Sequence, residues 1–521
     1  MQIIIGSDLT DKDLLYSTDE ARIVTAKGVE ALAYPEDEKD LSQLLQDANS
    51  SGIPITIIGG KTGINGSCVA RHGGIVARMD KMTTVSRLAV ETETVFSEST
   101  RRNYDLAFLE KQGVFPAGMI MSDLDTILAA KNLWLPPDGT ARDSMFGGNI
   151  ATNVSGARSF AFGPMRDYIQ ALRVVLPDGD RVTMRRGEIE ALGRRIEFET
   201  DSGQKHKLVL PSYTMPNTKH AAGLFVQDNM DLIDMFIGSE GILGVITEAT
   251  VNLVPARESY KILYFFDSLE GGLNFADQAR SLKVDKRQYS LEPDSTKGLV
   301  SLEFYDSGAL SLASGKVQVP SSAVCAIQTE FFCDDMETME EISLLYEEHS
   351  QISDDTTVVD DALIAFRHSV PAAVNEIIGQ AKRRYPLIHK VGTDFAVPAG
   401  SFREMIRLYL ASQEIFQECC RRDQVFAMWG HLGDYHLHAN FLPTNGKEHE
   451  YALGLFGDLA RKAVELEGSI SAEHGVGKKN IFGIPLIAMQ YGLHALFEIK
   501  FVKSVLDPKL VLNKGNMIGY M

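Results

Sequence analysis

Imidazole and carboxylate side chains are concentrated in two short segments late in the chain. The first segment holds three of the twelve histidines, His431, His436 and His438. The second holds Glu473, which is followed directly by His474. Imidazoles and carboxylates are ligands that a divalent cation such as zinc or manganese selects. Ordinary surface or core histidines are the alternative, but this density favours a shared metal site.

The spacing within the first segment indicates how its side chains are held. His436, His438 and Asn440 alternate along the chain, as residues on one face of a β-strand do. A separate loop would then supply Glu473.

Length and composition limit the classes of protein to which the chain can belong. With 521 residues and 44% hydrophobic content, two or three domains are expected. A net charge of -19 argues against nucleic acids and anionic membrane surfaces as partners. Five cysteines without a CxxC pair argue against a cysteine-ligated metal and indicate reduced thiols in the cytoplasm. The chain contains no transmembrane run of about 18 apolar residues, so peripheral association is the only membrane contact left open.

A glycine-rich loop follows the first periodic segments. The pattern predicts a helix over residues 37–49 and a strand over residues 53–58. The loop over residues 59–66 has four glycines, which allow its N–H groups to surround an anion. A nucleoside-triphosphate loop is excluded because that pattern needs glycine where Ile55 stands. Alone, this loop could equally be a hairpin.

Two further glycine-rich segments favour an extended ligand. One covers residues 136–168, before a strand that ends in a tight turn at residues 177–180, and the other covers residues 236–246. Three such segments suit a ligand whose diphosphate and flat ring are held largely by backbone groups. A long flavin nucleotide has that shape.

The order of five motifs resembles the FAD-linked oxidases of the vanillyl-alcohol oxidase (PCMH-type FAD-binding) superfamily. The motifs are GGxTG, GGNxATN, GSEGxLG, GHxGDxxxH and EHGxG, and the resemblance covers residues 30–516. The most similar branch contains D-lactate dehydrogenase, the glycolate oxidase flavin subunit and D-2-hydroxyglutarate dehydrogenase. The expected function is therefore oxidation of a D-2-hydroxy acid, D-lactate-like, by non-covalently bound FAD.

The resemblance implies an α+β fold. A PCMH-type FAD-binding domain of two α/β subdomains would cover residues 1–256, with an N-terminal extension over residues 1–30. A substrate (cap) domain with an antiparallel sheet and helices would cover residues 257–521, and roughly the last 45 residues would return to the first domain. We place the domain boundary near Pro255, where the strand pattern ends.

The resemblance also assigns roles to individual residues. The FAD diphosphate would contact Gly59, Gly60, Lys61, Thr62, Gly63 and Ile64. The isoalloxazine and ribityl side would be lined by Pro137, Gly147, Gly148, Asn153, Gly156 and Gly163. The adenine half would lie near Glu240, Gly241, Gly244 and Ile246. The metal ligands, for Zn or Mn, would be His431, His438 and Glu473.

The polar residues not yet assigned match the requirements of 2-hydroxy acid oxidation. A metal lowers the pKa of the substrate hydroxyl, and a nearby imidazole with an ordinary pKa, here His474, accepts the proton. The resemblance places Arg367 at the substrate carboxylate, and Lys390 is the expected second cation. The ring of His474 should point away from the metal because it follows the ligand Glu473.

Several positions depart from the family pattern. His436 stands where Asn is usual, so it could be a metal ligand, a substrate contact or a support for the ligands. Pro371 replaces a hydroxyl side chain of the 2-hydroxyglutarate enzyme, and Lys514 replaces a proline. Residues 91–112 and 187–224 look like inserted loops. Cys68 follows the first glycine loop and could bind flavin covalently, although non-covalent binding is favoured.

Two functions of different classes stay open. In the first, the chain is a dehydrogenase that passes electrons to a separate quinone, cytochrome or electron-transfer flavoprotein. In the second, it is a flavin-binding subunit, active only within a larger redox complex. The chain carries no ferredoxin-like cysteine set, so either acceptor would be another molecule. A homodimer is also compatible with the sequence.

Overall fold

The computed structural model describes residues 1–9, 18–19, 25–26, 28–86, 88, 91–313, 315–353, 358–359 and 361–519. Residues 10–17, 20–24 and 27 of the expected N-terminal extension lie outside the described residues. The predicted α+β class is confirmed, because three main sheets are combined with helices along the chain.

The first sheet is small and partly parallel. It contains four strands in the order β1-β2-β4-β3, namely β1 (Gln2–Ile5), β2 (Val29–Tyr34), β3 (Ile55–Ile58) and β4 (Gly74–Arg78). Helix α1 (Glu38–Ser51) begins where the Asp37 carboxylate accepts a hydrogen bond from the N–H of Asp40. The predicted helix over residues 37–49 and strand over residues 53–58 are confirmed, although β3 begins at Ile55.

The second sheet has six antiparallel strands in the order β10-β9-β13-β7-β6-β5. The strands of this part are β5 (Glu93–Ser97), β6 (Arg102–Leu109), β7 (Gln112–Pro116), β8 (Leu133–Trp134), β9 (Ile169–Val175), β10 (Arg181–Arg185), β11 (Arg195–Glu199), β12 (Lys205–Val209), β13 (Val245–Asn252) and β14 (Val254–Pro255). Its helices are α2 (Met121–Ala129), α3 (Phe146–Ala151), α4 (Ser159–Phe162) and α5 (Leu232–Phe236).

The two stretches expected to be inserted loops both contain paired strands. Within residues 91–112, β5 and β6 extend the second sheet at one edge. Within residues 187–224, β11 and β12 form an antiparallel hairpin. The expectation of loops is therefore wrong for most of residues 91–112 and for the β11–β12 hairpin, because alternating side chains there pair across neighbouring strands. Residues 210–224 do lack helix and strand.

The third sheet is antiparallel and has the order β18-β15-β17-β16-β21-β22-β19, with β20 paired to β22. Its strands are β15 (Ser259–Phe266), β16 (Leu299–Asp306), β17 (Cys325–Phe332), β18 (Val358–Val359), β19 (Val391–Gly392), β20 (Phe395–Ala396), β21 (Phe426–His431) and β22 (His436–Phe441). The accompanying helices are α6 (Leu269–Ala279), α7 (Lys286–Leu291), α8 (Ser307–Leu312), α9 (Met336–His349), α10 (Asp361–Arg384), α11 (Phe402–Cys420) and α12 (Gly446–Glu465).

Strand register in this sheet brings the chemical residues together. Trp429 of β21 lies opposite His438 of β22 on one side and Tyr305 of β16 on the other. His431 lies opposite His436. Directly opposed residues of antiparallel strands point to the same face, so these five side chains share one face of the sheet.

The end of the chain packs back on the first sheet. The last elements are β23 (Asn480–Ile481), β24 (Ile484–Pro485), α13 (Leu486–Tyr491) and α14 (Leu493–Leu506). The N–H of Asn513 donates to the Ile55 carbonyl at 2.8 Å, and its side-chain oxygen accepts from the N–H of Ile57 at 2.8 Å. The second and third sheets are separated by residues 253–258, so we keep the proposed boundary near Pro255. No described helix is long and apolar enough to cross a bilayer.

Candidate active site

One cavity of about 480 Å³ collects most of the residues singled out in the sequence. Pockets of this size hold cofactors and small substrates. The predicted cofactor residues on its wall are Gly59, Gly60, Lys61, Thr62, Gly63, Ile64, Gly147, Gly148, Gly156, Glu240, Gly241, Gly244 and Ile246. The predicted metal and substrate residues on its wall are His431, His438, Glu473, His474, Arg367 and Lys390.

Close backbone packing explains two of the glycines on the wall. A Cβ atom at Gly60 would lie 2.6 Å from the carbonyl oxygen of Asp143, and one at Gly156 would lie 1.9 Å from that of Asp138. Gly156 also has a φ of +95°, which other residues rarely adopt. Lys61 has a φ of +63° despite its side chain, and such strain is concentrated in ligand-binding loops.

Three predicted cofactor residues are not on this wall. The side-chain oxygen of Asn153 accepts a hydrogen bond from the N–H of Arg166 at 2.9 Å, and Gly163 packs closely against the Asp167 carboxylate. Pro137 lines a second cavity of about 370 Å³. The structure therefore gives Asn153 and Gly163 local packing roles, and none of the three is brought to the main cavity as expected.

The imidazole and carboxylate side chains form one cluster on the shared sheet face. His431 Nε2 lies 3.2 Å from Glu473 Oε1, and His438 Nε2 lies 3.5 Å from the same oxygen. One ligand atom from each of His431, His436, His438 and Glu473 can be chosen so that all lie within 4.8 Å of one another. Such a set can close around one divalent cation with bonds of about 2.0 to 2.2 Å.

The electrostatics of the cluster favour a bound cation. Burial would lower the pKa of His431, but the carboxylates of Glu303 and Glu473 outweigh burial and raise that pKa to about 9. Among the described residues, the nitrogens of the buried His436 and Oδ1 of Asp394 make no well-aligned hydrogen bond, although His436 Nε2 and Asp394 Oδ1 lie 3.0 Å apart. Buried polar atoms are rarely left without partners, so the donor set fits a divalent metal.

His436 differs from its expected catalytic role because it does not reach the main cavity. Its ring is completely buried behind His438, with ring centroids 4.5 Å apart. Burial lowers the pKa of His436 to about 3, so the imidazole stays neutral. A substrate contact is therefore not supported, whereas a ligand or a support for the ligands remains compatible with this position.

Two carboxylates that the sequence analysis missed orient the imidazoles. His431 Nδ1 donates to Glu303 Oε1 at 2.7 Å, which leaves Nε2 for a metal. Asp394 accepts from the N–H of His474 at 2.9 Å, and its Oδ1 lies 3.2 Å from His474 Nδ1. Burial would raise the pKa of Asp394, but the imidazoles of His474 and His436 outweigh burial and keep that pKa low. Glu303 is a carboxylate in the middle of a buried, largely apolar strand, a signal that could have identified it.

The ring of His474 does not point away from the metal ligands as expected. It stacks on His438 with centroids 5.1 Å apart, and its Nε2 lies 3.5 Å from Glu473 Oε1. Burial lowers the pKa of His474 to about 4, below the ordinary value expected from the sequence. The imidazole is therefore neutral near pH 7, the state in which Nε2 can accept a proton.

The two expected cations of the substrate side lie on the cavity wall. Arg367 projects from α10, with Nη1 3.4 Å from Asp138 Oδ2 and Nε 3.9 Å from Glu303 Oε2. Lys390 has its ammonium 5.5 Å from the ring centroid of Trp429. Both can meet an anion in the cavity, although Arg367 also has acidic neighbours within the protein.

Lys219, on the irregular segment over residues 210–224, is a further residue that the sequence analysis missed. Its ammonium lies 3.0 Å from Glu473 Oε2 and 3.4 Å from Asp434 Oδ2, and it donates to the Gly156 carbonyl at 3.2 Å. One oxygen of Glu473 therefore pairs with lysine, while the other faces the imidazoles of His438 and His474. Lys219 thereby fixes the orientation of a predicted metal ligand.

Replacing Lys219 with Met should lower turnover by roughly 10- to 100-fold, the usual effect of losing a partner behind a metal ligand. Lys219→Arg, which keeps the charge, should recover part of the loss. Steady-state turnover and bound metal by elemental analysis, both normalised to flavin, would measure this. Wild-type turnover in Lys219→Met would contradict the orienting role.

Cys68 lies on the cavity wall, but its environment does not favour a covalent flavin bond. Burial raises the pKa of the Cys68 thiol to about 11, so little reactive thiolate is present near pH 7. The thiol environment is therefore consistent with the prediction that flavin binds without a covalent bond.

Comparisons with known proteins agree with this architecture. Residues 29–185 match the FAD binding domain family, and residues 294–517 match the C-terminal domain family of FAD linked oxidases. The glycolate oxidase subunit GlcD of Bacillus subtilis (strain 168) is 25% identical, over 94% of this chain and 89% of the relative. The D-lactate dehydrogenase of Anaerostipes hadrus is 24% identical, over 99% and 94%, respectively.

Two further similarities extend over nearly the whole chain. The D-2-hydroxyglutarate dehydrogenase of Stutzerimonas stutzeri (strain A1501) is 23% identical, over 99% of this chain and 96% of the relative. A solved structure of alkyldihydroxyacetonephosphate synthase aligns with a TM-score of 0.57 at 15% identity, over 98% of this chain and 82% of that chain, which shows a common fold. Because both domain families match in their expected order, the chain belongs to the FAD-linked oxidases of the vanillyl-alcohol oxidase (PCMH-type) superfamily.

Proposed function

We propose that this FAD-linked oxidoreductase converts a D-2-hydroxy acid of the D-lactate type into its 2-oxo acid, with the help of a divalent metal. One observation carries the proposal. The wall that holds the glycine-rich segments also holds His431, His438 and Glu473, with ligand atoms close enough to bind one ion. Relatives named D-lactate dehydrogenase and glycolate oxidase subunit support the substrate class.

Each residue of the site would have its own role in the reaction. Bound flavin supplies the hydride acceptor, and a bound divalent ion held by His431, His438 and Glu473 supplies Lewis-acid assistance. Asp394 lies beside Nδ1 of His474 and favours the tautomer that carries its proton on Nδ1. Nε2 of His474 is then free to accept the hydroxyl proton of the substrate. Arg367 binds the substrate carboxylate, with Lys390 as a second cation.

The choice of a short substrate rests on the substrate side of the cavity. Pro371 lies on the wall there, and a proline side chain offers no hydrogen bond to a second carboxylate. This favours a D-lactate-like acid over D-2-hydroxyglutarate, although relatives carry both names. Anaerobic bleaching of the flavin by a panel of D- and L-2-hydroxy acids would decide. Faster bleaching by the L-enantiomers would refute the proposed stereochemistry.

The reduced flavin must pass its electrons to another molecule. We propose a separate acceptor, of the quinone, cytochrome or electron-transfer flavoprotein class. The alternative is a flavin-binding subunit that works only in a complex, which the name of the glycolate oxidase relative favours. A purified chain whose flavin is reduced by substrate without partners supports the first function, and a chain that needs a partner for this step supports the second.

The cofactor assignment gives a simple prediction. The protein should purify yellow and release FAD into the supernatant on acid precipitation, because backbone groups rather than a covalent bond hold the flavin. Absorbance and chromatography of the supernatant would measure this release. Flavin that stays in the pellet would indicate covalent attachment, for which Cys68 would be the first candidate.

A further inference from the structure

The hydroxyl of Tyr305, on β16, is buried and unpaired within the described part of the chain. The residue is 1% exposed, and its hydroxyl has no hydrogen-bond partner among the described residues. Leaving a buried polar group unpaired costs free energy, so such a group requires an explanation. Tyr305 also lies on the wall of the main cavity, where a ligand can reach it.

The other unpaired atoms near the active site do not share this position. Oδ1 of Asp394 and both nitrogens of His436 also lack a well-aligned hydrogen bond among the described residues, but neither residue lies on the cavity wall. Asp394 and His436 face each other across 3.0 Å within the imidazole cluster. The Tyr305 hydroxyl is therefore the unpaired group whose placement points to the occupant of the cavity.

The surroundings of Tyr305 fix where its hydroxyl can act. Its ring packs edge-on against Phe366, with centroids 4.8 Å apart, and Phe366 directly precedes Arg367 on α10. On the sheet, Tyr305 lies opposite Trp429, which lies opposite the predicted ligand His438. The hydroxyl is therefore held among the groups assigned to the substrate, on the same sheet face as the metal ligands.

The groups around the Tyr305 hydroxyl favour the binding of an anion. Burial raises the pKa of Tyr305, so the phenol stays protonated and can donate a hydrogen bond. Arg367, a permanent cation, lines the same cavity beside it. A neutral donor next to a guanidinium suits the carboxylate that all 2-hydroxy acids share.

We propose that Tyr305 donates its hydroxyl hydrogen to the substrate carboxylate, next to Arg367, and so is a substrate-binding residue of this enzyme. The inference rests on the proposed oxidation of 2-hydroxy acids. It predicts that the hydroxyl contributes similarly to every substrate of this class, because the carboxylate is common to them all.

The test is Tyr305→Phe, which removes the hydroxyl and keeps the ring. Stopped-flow flavin reduction at several concentrations of D-lactate, D-2-hydroxybutyrate and D-2-hydroxyglutarate gives a dissociation constant for each acid. We expect each acid that wild type binds to bind roughly 10- to 100-fold more weakly, because a hydrogen bond to a charged group is lost. The limiting rate constant should change much less, since His474 and the metal ligands are retained.

Thermal stability separates a binding role from a structural one. Removing an unpaired hydroxyl should leave the melting temperature of Tyr305→Phe unchanged or higher. The matched control is Tyr289→Phe, because the fully buried Tyr289 donates its hydroxyl to the Pro255 carbonyl at 2.7 Å. This control should lower the melting temperature and leave the dissociation constants unchanged.

Three outcomes would contradict the inference, and they can be told apart. Unchanged dissociation constants in Tyr305→Phe, with normal flavin reduction in wild type, would overturn the inference alone. Weaker binding of D-2-hydroxyglutarate only would show contact with the substrate side chain and would also overturn it. If none of the acids reduced the wild-type flavin, the proposed function would fail, and the inference with it.

Discussion

The substitution His474→Asn should slow flavin reduction by roughly 10²- to 10⁴-fold, the usual contribution of a positioned general base. The neutral imidazole has Nδ1 next to Asp394 and Nε2 on the cavity side near Glu473, and asparagine offers no comparable proton acceptor. The variant should keep its FAD and its metal, because none of the three predicted metal ligands is changed. Stopped-flow flavin reduction under anaerobic conditions measures the rate constant directly.

A matched control for this experiment is His449→Asn. His449 is also an imidazole whose pKa burial lowers to about 4, but it packs against His389 away from the cavity wall. The control should reduce its flavin at the wild-type rate. If His474→Asn also did so, another group would accept the proton, and His436 would be a poor candidate because it does not reach the cavity.

His438→Ala should abolish stoichiometric metal binding. The substitution removes one of the three predicted protein ligands. The loss of metal affinity should therefore exceed roughly 10- to 100-fold, the loss typical when a residue that hydrogen-bonds to a metal ligand is replaced. Turnover should fall with the metal, whereas flavin content should stay near the wild-type value because the glycine-rich segments are intact. Elemental analysis and flavin absorbance of the same preparation give both quantities.

The control for metal binding is His206→Ala. His206 is also buried, but it stacks on Phe198 in the hairpin of β11 and β12, outside the cavity wall. This variant should keep its metal. If active wild-type protein contained no stoichiometric divalent metal, His431, His438 and Glu473 would serve only as hydrogen-bonding groups.

Local sequence patterns determined much of the fold and most of the candidate site. The first helix and strand could be predicted because apolar spacing and the Asp37 cap act within a few residues. The alternation of His436, His438 and Asn440 predicted a strand for the same reason, and β22 confirms it. The motif order supplied the family, and with it the assigned site residues, most of which lie on the cavity wall.

Strand pairing over long sequence distances decided what the local patterns could not. Glu303 and Tyr305 reach the site because β16 pairs with β21, more than a hundred residues later. Lys219 reaches Glu473 from a segment read only as an insertion, and Asp394 holds His474 from another strand connection. No spacing rule connects such positions, because their contact depends on which strands become neighbours.

The sequence by itself therefore predicted the segments assigned to the cofactor and the candidate metal ligands, and it determined the fold class. The tertiary structure decided that His436 is buried, that the His474 ring lies against His438, and that Pro137 faces another cavity. Backbone conformation follows from neighbouring residues, and so sequence motifs predict it. Side-chain direction, burial and ionisation depend on the whole packed surroundings, which form only when distant strands and loops meet.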